Sequence, residues 1–445
     1  QGWGLQALGS FTRGSWDSGI IWSNRAGGVQ SESAVLSISN SAVNACVTNT
    51  SVYAINSGSF RSDYNLIWPQ NGAYVASDTS ALGTKYRNLL AWQKARGIDL
   101  HSLRVDPLFY DAGSGDFHLA SKVGRFDPVS QSFVASDLET SWLVDAGDPA
   151  RAFGGEPSPN GERMNTGLHA NRAEASMSPF LGADRALRVV TADDGGSISG
   201  PISLYWLSQA MNTSDVVYVE VSTDGGFTWT TIASNLNPVT TGITFDPTGL
   251  PSSPRAYWRV ALQSDPAIHA TNTTRFTIRQ GPILYYVNDG SQFGDVYCSG
   301  PGSSTNSGLS PSVPMDSLHQ ILFEYELEGG TNTYGGDVIY VDTGTFAITN
   351  PIVIRNDDKG NEFGNVLFQG GTILQVQSTN LVLDGTQEVA VALVATRHVT
   401  LDQFTIEGAS TGVRLSDATT RCAVSNILIR DGGRAGVAFE GSSSN

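Results

Sequence analysis

The chain has 445 residues, of which 49 are Gly, and only 15% are charged. Its length exceeds that of one compact domain, and its composition is typical of turn-rich β structure rather than of a coiled coil or a disordered chain. The 42 acidic and 26 basic residues give a net charge of −16, which disfavours binding to nucleic acid and to anionic lipid.

Cysteine spacing and hydropathy exclude further classes of protein. Cys46, Cys298 and Cys422 lie far apart, without the spacing of a metal finger or a disulfide framework. No apolar run is long enough to span a bilayer, so no membrane insertion is expected. The acidity suits a soluble secreted protein. It would also suit Ca²⁺, but no calcium-binding motif occurs and no cofactor is expected.

Residues 1–75 contain a repeat of short strands. The segments 20–22 (IIW) and 66–68 (LIW) lie two 23-residue periods apart, with Val43 and Ala45 at the matching positions between them. Short strands that return at a constant interval predict a solenoid, most simply a parallel β-helix. Residues 80–103 have a helical apolar pattern and predict a short helix over the side or end of this solenoid.

Residues 105–171 carry four short motifs in succession. They read DPLF (106–109), GDFHL (115–119), VDAGDP (144–149) and NGERMNTG (160–167), followed by GLHAN at 167–171. This succession resembles the C-terminal end of the right-handed parallel β-helix repeat proteins found in large secreted bacterial polypeptides, whose endings read DPLF, GDYHL, IDAGDP and NGGRINMGAYGN. The resemblance implies that residues 1–180 are the C-terminal half of a parallel β-helix with its closing cap.

Residues 185–280 lack the 23-residue period. Seven short alternating runs separated by turn residues predict an immunoglobulin-like β-sandwich, at 187–189, 202–206, 217–221, 228–232, 243–245, 257–261 and 276–278. Residues 222–229 (STDGGFTW) match the Asp-box pattern known from sialidases, a hairpin element away from their active sites. Asp224 and Trp229 are therefore predicted to be structural turn residues, with glycan contact as the less favoured alternative.

A second solenoid is predicted for residues 285–445. Residues 285–290 and 336–346 are similar to the N-terminal start of the same β-helix family, in which a short amphipathic helix caps the first coil. Asp316 is the predicted N-cap of that helix, with Leu318, Ile321, Leu322 and Tyr325 on its inner face. The complete prediction is an all-β fold, with two partial right-handed parallel β-helices joined by a β-sandwich module.

The clearest repeat lies in residues 399–440. Two successive lines of alternating residues match at intervals of 23 and 24, which predicts that residues of the second line stack on those of the first in the solenoid interior. The predicted interior residues are Phe404, Ile406, Val413 and Leu415 in the first line and Ile427, Ile429, Val437 and Phe439 in the second.

No catalytic constellation is evident. Asp384, Glu407 and Arg430 recur at 23-residue intervals, but two acids beside an Arg more often form a solvated charge ladder than a site. Each His is interpreted as a surface or structural residue. No enzyme activity is expected, and a carbohydrate-active alternative, a polysaccharide lyase, a glycosidase or a glycan-binding module, stays open.

The order of the segments indicates a polymer. A β-helix end precedes the sandwich and a β-helix start follows it, and the sequence, without initiator Met or signal peptide, is expected to be a segment of something larger. Counted along the sequence from Gly436 of one copy to Gly19 of the following copy, the separation would be one 24-residue turn plus a four-residue loop. We therefore expect an extracellular or cell-surface structural protein that joins head to tail with copies of itself, and glycans are a further candidate partner. The expected junction residues are Gly441, Asn445, Gln1, Trp3, Gly19 and Trp22.

Overall fold

The part of the chain that the computed structural model describes is nearly all β, with two short helices. The structure describes residues 2–56, 59–78, 84–239, 242–373, 376–383, 385 and 388–441. The chain divides into two units, Gln1–Ile278 and Arg279–Asn445. Within the described ranges, no helix is both long and apolar enough to cross a membrane.

Unit 1 begins with three sheets whose strands alternate along the chain. Their order is β1-β4-β7-β10-β11, β2-β5-β8 and β3-β6-β9, and every pairing is parallel except that of β10 with β11. Each strand therefore pairs with the strand three places further on, as Ile21 does with Val43 and Val43 with Ile67. The strands are β1 (Leu5–Leu8), β2 (Arg13–Asp17), β3 (Ile20–Ile21), β4 (Val29–Glu32), β5 (Val35–Ser39), β6 (Ala42–Ala45), β7 (Ser51–Asn56), β8 (Phe60–Asp63), β9 (Leu66–Pro69), β10 (Tyr74–Asp78) and β11 (Thr84–Tyr86).

A short helix, α1 (Leu89–Arg96), follows these sheets. It begins after Asn88, whose side chain accepts a hydrogen bond from the backbone N–H of Ala91, and it ends at Gly97, whose φ of 65° suits glycine. Trp92 is fully buried and donates its indole N–H to Asp99 at 2.9 Å. Burial raises the pKa of Asp99 to about 6.

The remainder of unit 1 is largely antiparallel. Two hairpins, β12-β13 and β14-β15, precede a five-strand path, β17-β25-β23-β20-β21, in which β24 also pairs with β23, and two further pairs, β16-β19 and β18-β22. The strands are β12 (Phe109–Asp111), β13 (Asp116–Leu119), β14 (Arg125–Asp127), β15 (Ser132–Val134), β16 (Ala186–Val189), β17 (Ser197–Ile198), β18 (Ile202–Leu204), β19 (Trp206–Gln209), β20 (Val217–Ser222), β21 (Thr230–Leu236), β22 (Ile243–Phe245), β23 (Ser253–Leu262), β24 (His269–Thr271) and β25 (Phe276–Ile278).

A common core joins the parallel and antiparallel parts of unit 1. Tyr205 and Leu207 lie in the same buried cluster as Leu66, Leu103 and Leu143. Residues on both sides of the boundary predicted at 180–185 thus pack together. The division into segments 1–180, 185–280 and 285–445 stays a prediction.

Unit 2 repeats the three-sheet arrangement. Its sheets are β26-β27-β30-β35-β38, β28-β33-β36-β39 and β29-β34-β37-β40, all parallel, with a separate hairpin β31-β32. The strands are β26 (Leu284–Val287), β27 (Val338–Val341), β28 (Gly344–Ile348), β29 (Ile352–Ile354), β30 (Val366–Gly370), β31 (Thr372–Ile373), β32 (Val376–Gln377), β33 (Thr379–Leu383), β34 (Val389–Val394), β35 (Val399–Asp402), β36 (Thr405–Glu407), β37 (Thr411–Ser416), β38 (Ala423–Ser425), β39 (Leu428–Arg430) and β40 (Ala435–Phe439).

The register of unit 2 pairs like residues. Ile406 lies opposite Ile429, and Val413 and Leu415 lie opposite Val437 and Phe439. Val437 and Phe439, both predicted to lie in the interior, thus share a face with the buried Val413 and Leu415, but they are 39% and 61% exposed. In the described part of the chain no strand covers the outer side of β40, so their side chains have neighbours on one side only.

The second helix, α2 (Leu318–Glu324), packs on this core. Leu318, Ile321 and Tyr325 are buried in it. The predicted N-cap is wrong by one residue. Ser317, rather than Asp316, accepts from the N–H of Gln320, because Ser317 directly precedes the first helical residue, Leu318.

Candidate functional site

At one end of the three parallel sheets of each unit lies a row of three edge strands, one from each sheet. In unit 1 the row consists of β1, β2 and β3, and in unit 2 it consists of β38, β39 and β40. Among the described residues no strand pairs with the outer side of either row. Open parallel edges present backbone N–H and C=O groups that can pair with another chain. The edge rows also expose apolar side chains: Leu8, Trp16, Leu428, Val437 and Phe439.

The two rows share their turn geometry. In the three-sheet region of unit 1 and in the strands from β35 onward in unit 2, the described residues directly after strands of the first and second sheets have left-handed backbone, which redirects the chain into the next sheet. These residues, with φ between 48° and 92°, are Gly9, Ser18, Ser33, Asn40 and Tyr64 in unit 1, and Gln403, Gly408, Asn426 and Asp431 in unit 2. The strands of the two units therefore follow one another through the same pair of corners.

The predicted junction residues have contacts within their own unit. Trp22 packs edge-on against Phe109 with ring centroids 5.1 Å apart. A Cβ on Gly27 would lie 2.3 Å from the ring of Trp3, so that ring packs over a glycine. Gly19 has the same relation to Trp16.

The other predicted junction residues lie at the two ends of the sequence. Gly441 has a φ of 68°, which favours glycine. Gln1 and Asn445 lie outside the described residues.

The junction register predicted from sequence stays a prediction, but the faces of β3 in the structure differ from those it assumes. Equating Gly436 with Gly19 would place Val437 at the position of Ile20. Ile20, however, packs on the buried cluster that contains Leu66 and Tyr205. Ile21 instead belongs to the buried cluster inside the three parallel sheets, together with Val43. A one-residue shift of a strand reverses the faces of all its side chains, so Ile21 is the interior equivalent of Val437.

The Asp-box forms a closed turn between β20 and β21. Asp224 accepts from the backbone N–H of Thr228 at 2.9 Å and from its hydroxyl at 2.6 Å. Gly225 and Gly226 have φ of 86° and 91°. Trp229 donates its indole N–H back to the carbonyl of Gly226 at 3.0 Å, and these bonds engage Asp224 and Trp229 in the turn itself.

We expect replacement of Asp224 by Ala to lower the melting temperature of unit 1 in a pH-dependent way. The hydrogen bonds from Thr228, and then from Ser222, lower the pKa of Asp224 to about 2, below the ordinary value of about 3.9. Because the folded pKa is depressed, the stabilisation is fully present above pH 4 and is lost as the pH falls towards 2. Thermal unfolding of both proteins between pH 6 and pH 2 tests this, and a gap that stays constant over that range would contradict it.

The column of charged residues does not form a site among the described residues. Glu407 and Arg430 form an ion pair, and the Arg430 side chain is 55% exposed. Asp384 lies outside the described residues. An exposed pair of this kind contributes little to stability because water and salt screen it.

The structure brings together two histidines that are distant in the sequence. The rings of His118, in β13, and His169 stack with centroids 3.7 Å apart. The carboxylate of Glu174 lies 3.5 Å from Nδ1 of His169, and Asp116 lies 2.6 Å from Nδ1 of His118. Burial, with a contribution from His118, lowers the pKa of His169 to about 4, so its imidazole is neutral at pH 7. Their occurrence in two motifs of the same succession, GDFHL and GLHAN, is the one sequence signal that could have linked them.

Comparisons of the chain with protein-family models, with curated proteins and with solved structures gave no match.

Proposed function

We propose that the protein is an extracellular structural unit of a filament or giant surface polypeptide. In this proposal the three-sheet regions of units 1 and 2 each wind as a right-handed parallel β-helix, and the helix of one copy continues into that of the next. The observation that carries it is the rotation of strands through three parallel sheets, each strand pairing with one a full coil further on. The resemblance to secreted β-helix endings and the net charge of −16 support the extracellular location.

The proposed partner of the row β38–β40 is the row β1–β3 of a second copy. The two rows have the same strand succession and the same two left-handed corners, so the strands of one row can extend the sheets of the other in register. Association would cover Val437 and Phe439, which the structure leaves exposed. It would also pair the open backbone edges, which is the main gain in strand addition.

Substitution of Phe439 by Lys tests this contact. Phe439 is already 61% exposed in the single chain, so the variant should keep its fold while a charge enters the proposed interface. We expect the unmodified chain to associate with rising concentration in sedimentation velocity experiments and to form head-to-tail assemblies in electron micrographs. The Phe439→Lys variant should stay monomeric.

The matched control is Phe293→Lys. Phe293 belongs to the same unit and is 95% exposed, outside the row of edge strands, so this variant should associate as the unmodified chain does. Monomeric behaviour of the unmodified chain at all concentrations, or equal association of the Phe439→Lys variant, would refute the contact.

A further inference from the structure

We infer that His118, His169 and Glu174 form a binding site for Zn²⁺ in unit 1. One nitrogen from each ring and one carboxylate oxygen lie within 4.8 Å of one another. Two imidazoles and a carboxylate are a ligand set found in three-ligand zinc sites, in which water takes the fourth position. The site is distinct from the edge rows and independent of the proposed assembly.

The contact with Asp116 orients the buried ring of His118 for metal binding. Its Nδ1 lies 2.6 Å from Oδ1 of Asp116, which also accepts the backbone N–H of His118 at 3.0 Å. An N–H that donates to a carboxylate fixes the tautomer and leaves the lone pair on Nε2, the arrangement that orients zinc-binding histidines. His118 is only 5% exposed.

The ligand nitrogens lack hydrogen-bond partners among the described residues. Nε2 of His118 and Nδ1 of His169 are both buried and without such a bond. A buried polar atom left in this way lowers the stability of the folded chain. A metal ion between the two nitrogens would satisfy both atoms at once, whereas ring stacking satisfies neither.

Small movements would complete the coordination. Zn–N bonds of about 2.0–2.1 Å in tetrahedral geometry place ligand nitrogens about 3.3 Å apart, so the stacked rings must rotate to direct both lone pairs at one point. The Glu174 side chain is 50% exposed and is free to follow. Hard cations such as Ca²⁺ prefer sites made only of oxygen ligands, so the two imidazoles favour zinc.

Metal titration of the full chain tests the site. After chelator treatment, we expect calorimetry with ZnCl₂ to show one ion per chain, and Co²⁺ to give the visible absorption of a tetrahedral site. His169→Gln and Glu174→Gln should weaken zinc binding by about 100-fold or more. Asp116→Asn, which removes only the positioning carboxylate, should weaken it by about 10- to 100-fold.

The controls separate coordination from folding. His269 lies on β24 and is exposed, so His269→Gln should bind zinc as the unmodified chain does. Glu174→Gln changes a half-exposed side chain, and an unaltered circular dichroism spectrum would establish that its weaker binding is a loss of a ligand. Absence of stoichiometric zinc uptake by the unmodified chain would overturn the site. The same would follow if the His169→Gln and Glu174→Gln variants bound zinc as tightly as the unmodified chain does, and the histidines would then be a stacked pair only.

Discussion

Replacement of Ile406 by Asp is expected to lower the free energy of unfolding of unit 2 by about 4 kcal/mol or more, because it places an unpaired charge in an apolar interior. Ile406 is 1% exposed and is paired in register with Leu381 on one side and Ile429 on the other. Its side chain therefore has apolar neighbours on the paired strands at both sides of it, β33 and β39.

Two comparisons make the test specific. Leu367 lies on β30 between two buried residues and points to the other face, so Leu367→Asp should cost less than about 1 kcal/mol. All nine Trp residues lie between positions 3 and 258, so tryptophan fluorescence reports unit 1 alone. Denaturant unfolding should show a large shift in circular dichroism for Ile406→Asp. Equal stability of the Ile406 and Leu367 variants would contradict the assignment of faces.

Replacement of Arg279 by Met is expected to destabilise unit 2 by about 3–5 kcal/mol, because it leaves a buried carboxylate without its counter-ion. The Asp337 side chain is fully buried, and the guanidinium of Arg279, 3% exposed, lies against it. Asp337 also accepts the backbone N–H groups of Ile283 and Glu328 at 2.9 and 3.0 Å. The ion pair thus joins Arg279, five residues before the start of β26, to Asp337, the residue directly before β27.

A double variant distinguishes loss of the charge partner from loss of packing. In Arg279→Met with Asp337→Asn, the amide keeps an oxygen for one backbone N–H and carries no charge. We expect it to recover a substantial part of the stability lost in Arg279→Met, measured by denaturant unfolding followed by circular dichroism. If the single variant loses less than about 1 kcal/mol, or the double variant is the less stable of the two, the buried pair does not have this role.

The repeat interval predicts contacts wherever strands pair in register. The constant interval that separates Ile406 from Ile429 in the sequence corresponds to direct pairing in the sheet, because neighbouring parallel strands that are separated by a constant interval place equivalent residues opposite each other. The Asp-box pattern similarly predicts a local turn, since Asp224 bonds to a residue only four positions away. Both signals lie within one element or one period.

Other features depend on information that the interval does not contain. The exposure of Phe439 depends on whether another strand covers β40, which the interval does not state. The interval also does not state which of Ile20 and Ile21 faces the interior, because a one-residue shift exchanges the two faces of β3. His118 and His169 belong to segments without a period, so no spacing rule places them together. Arg279 and Asp337 are 58 residues apart, and nothing in their local sequence marks them as a buried pair.

The buried cluster that contains Leu66, Leu103, Tyr205 and Leu207 limits where the gene can recombine without loss of stability in the protein. Exchange of the antiparallel part of unit 1 for an unrelated module would leave the apolar surface of its neighbour without a matching partner. Recombination within the unit would therefore require compensating changes on both sides of the crossover. A crossover after Ile278 would keep this cluster intact, so descendants of an ancestral gene should retain residues up to that point as one heritable block.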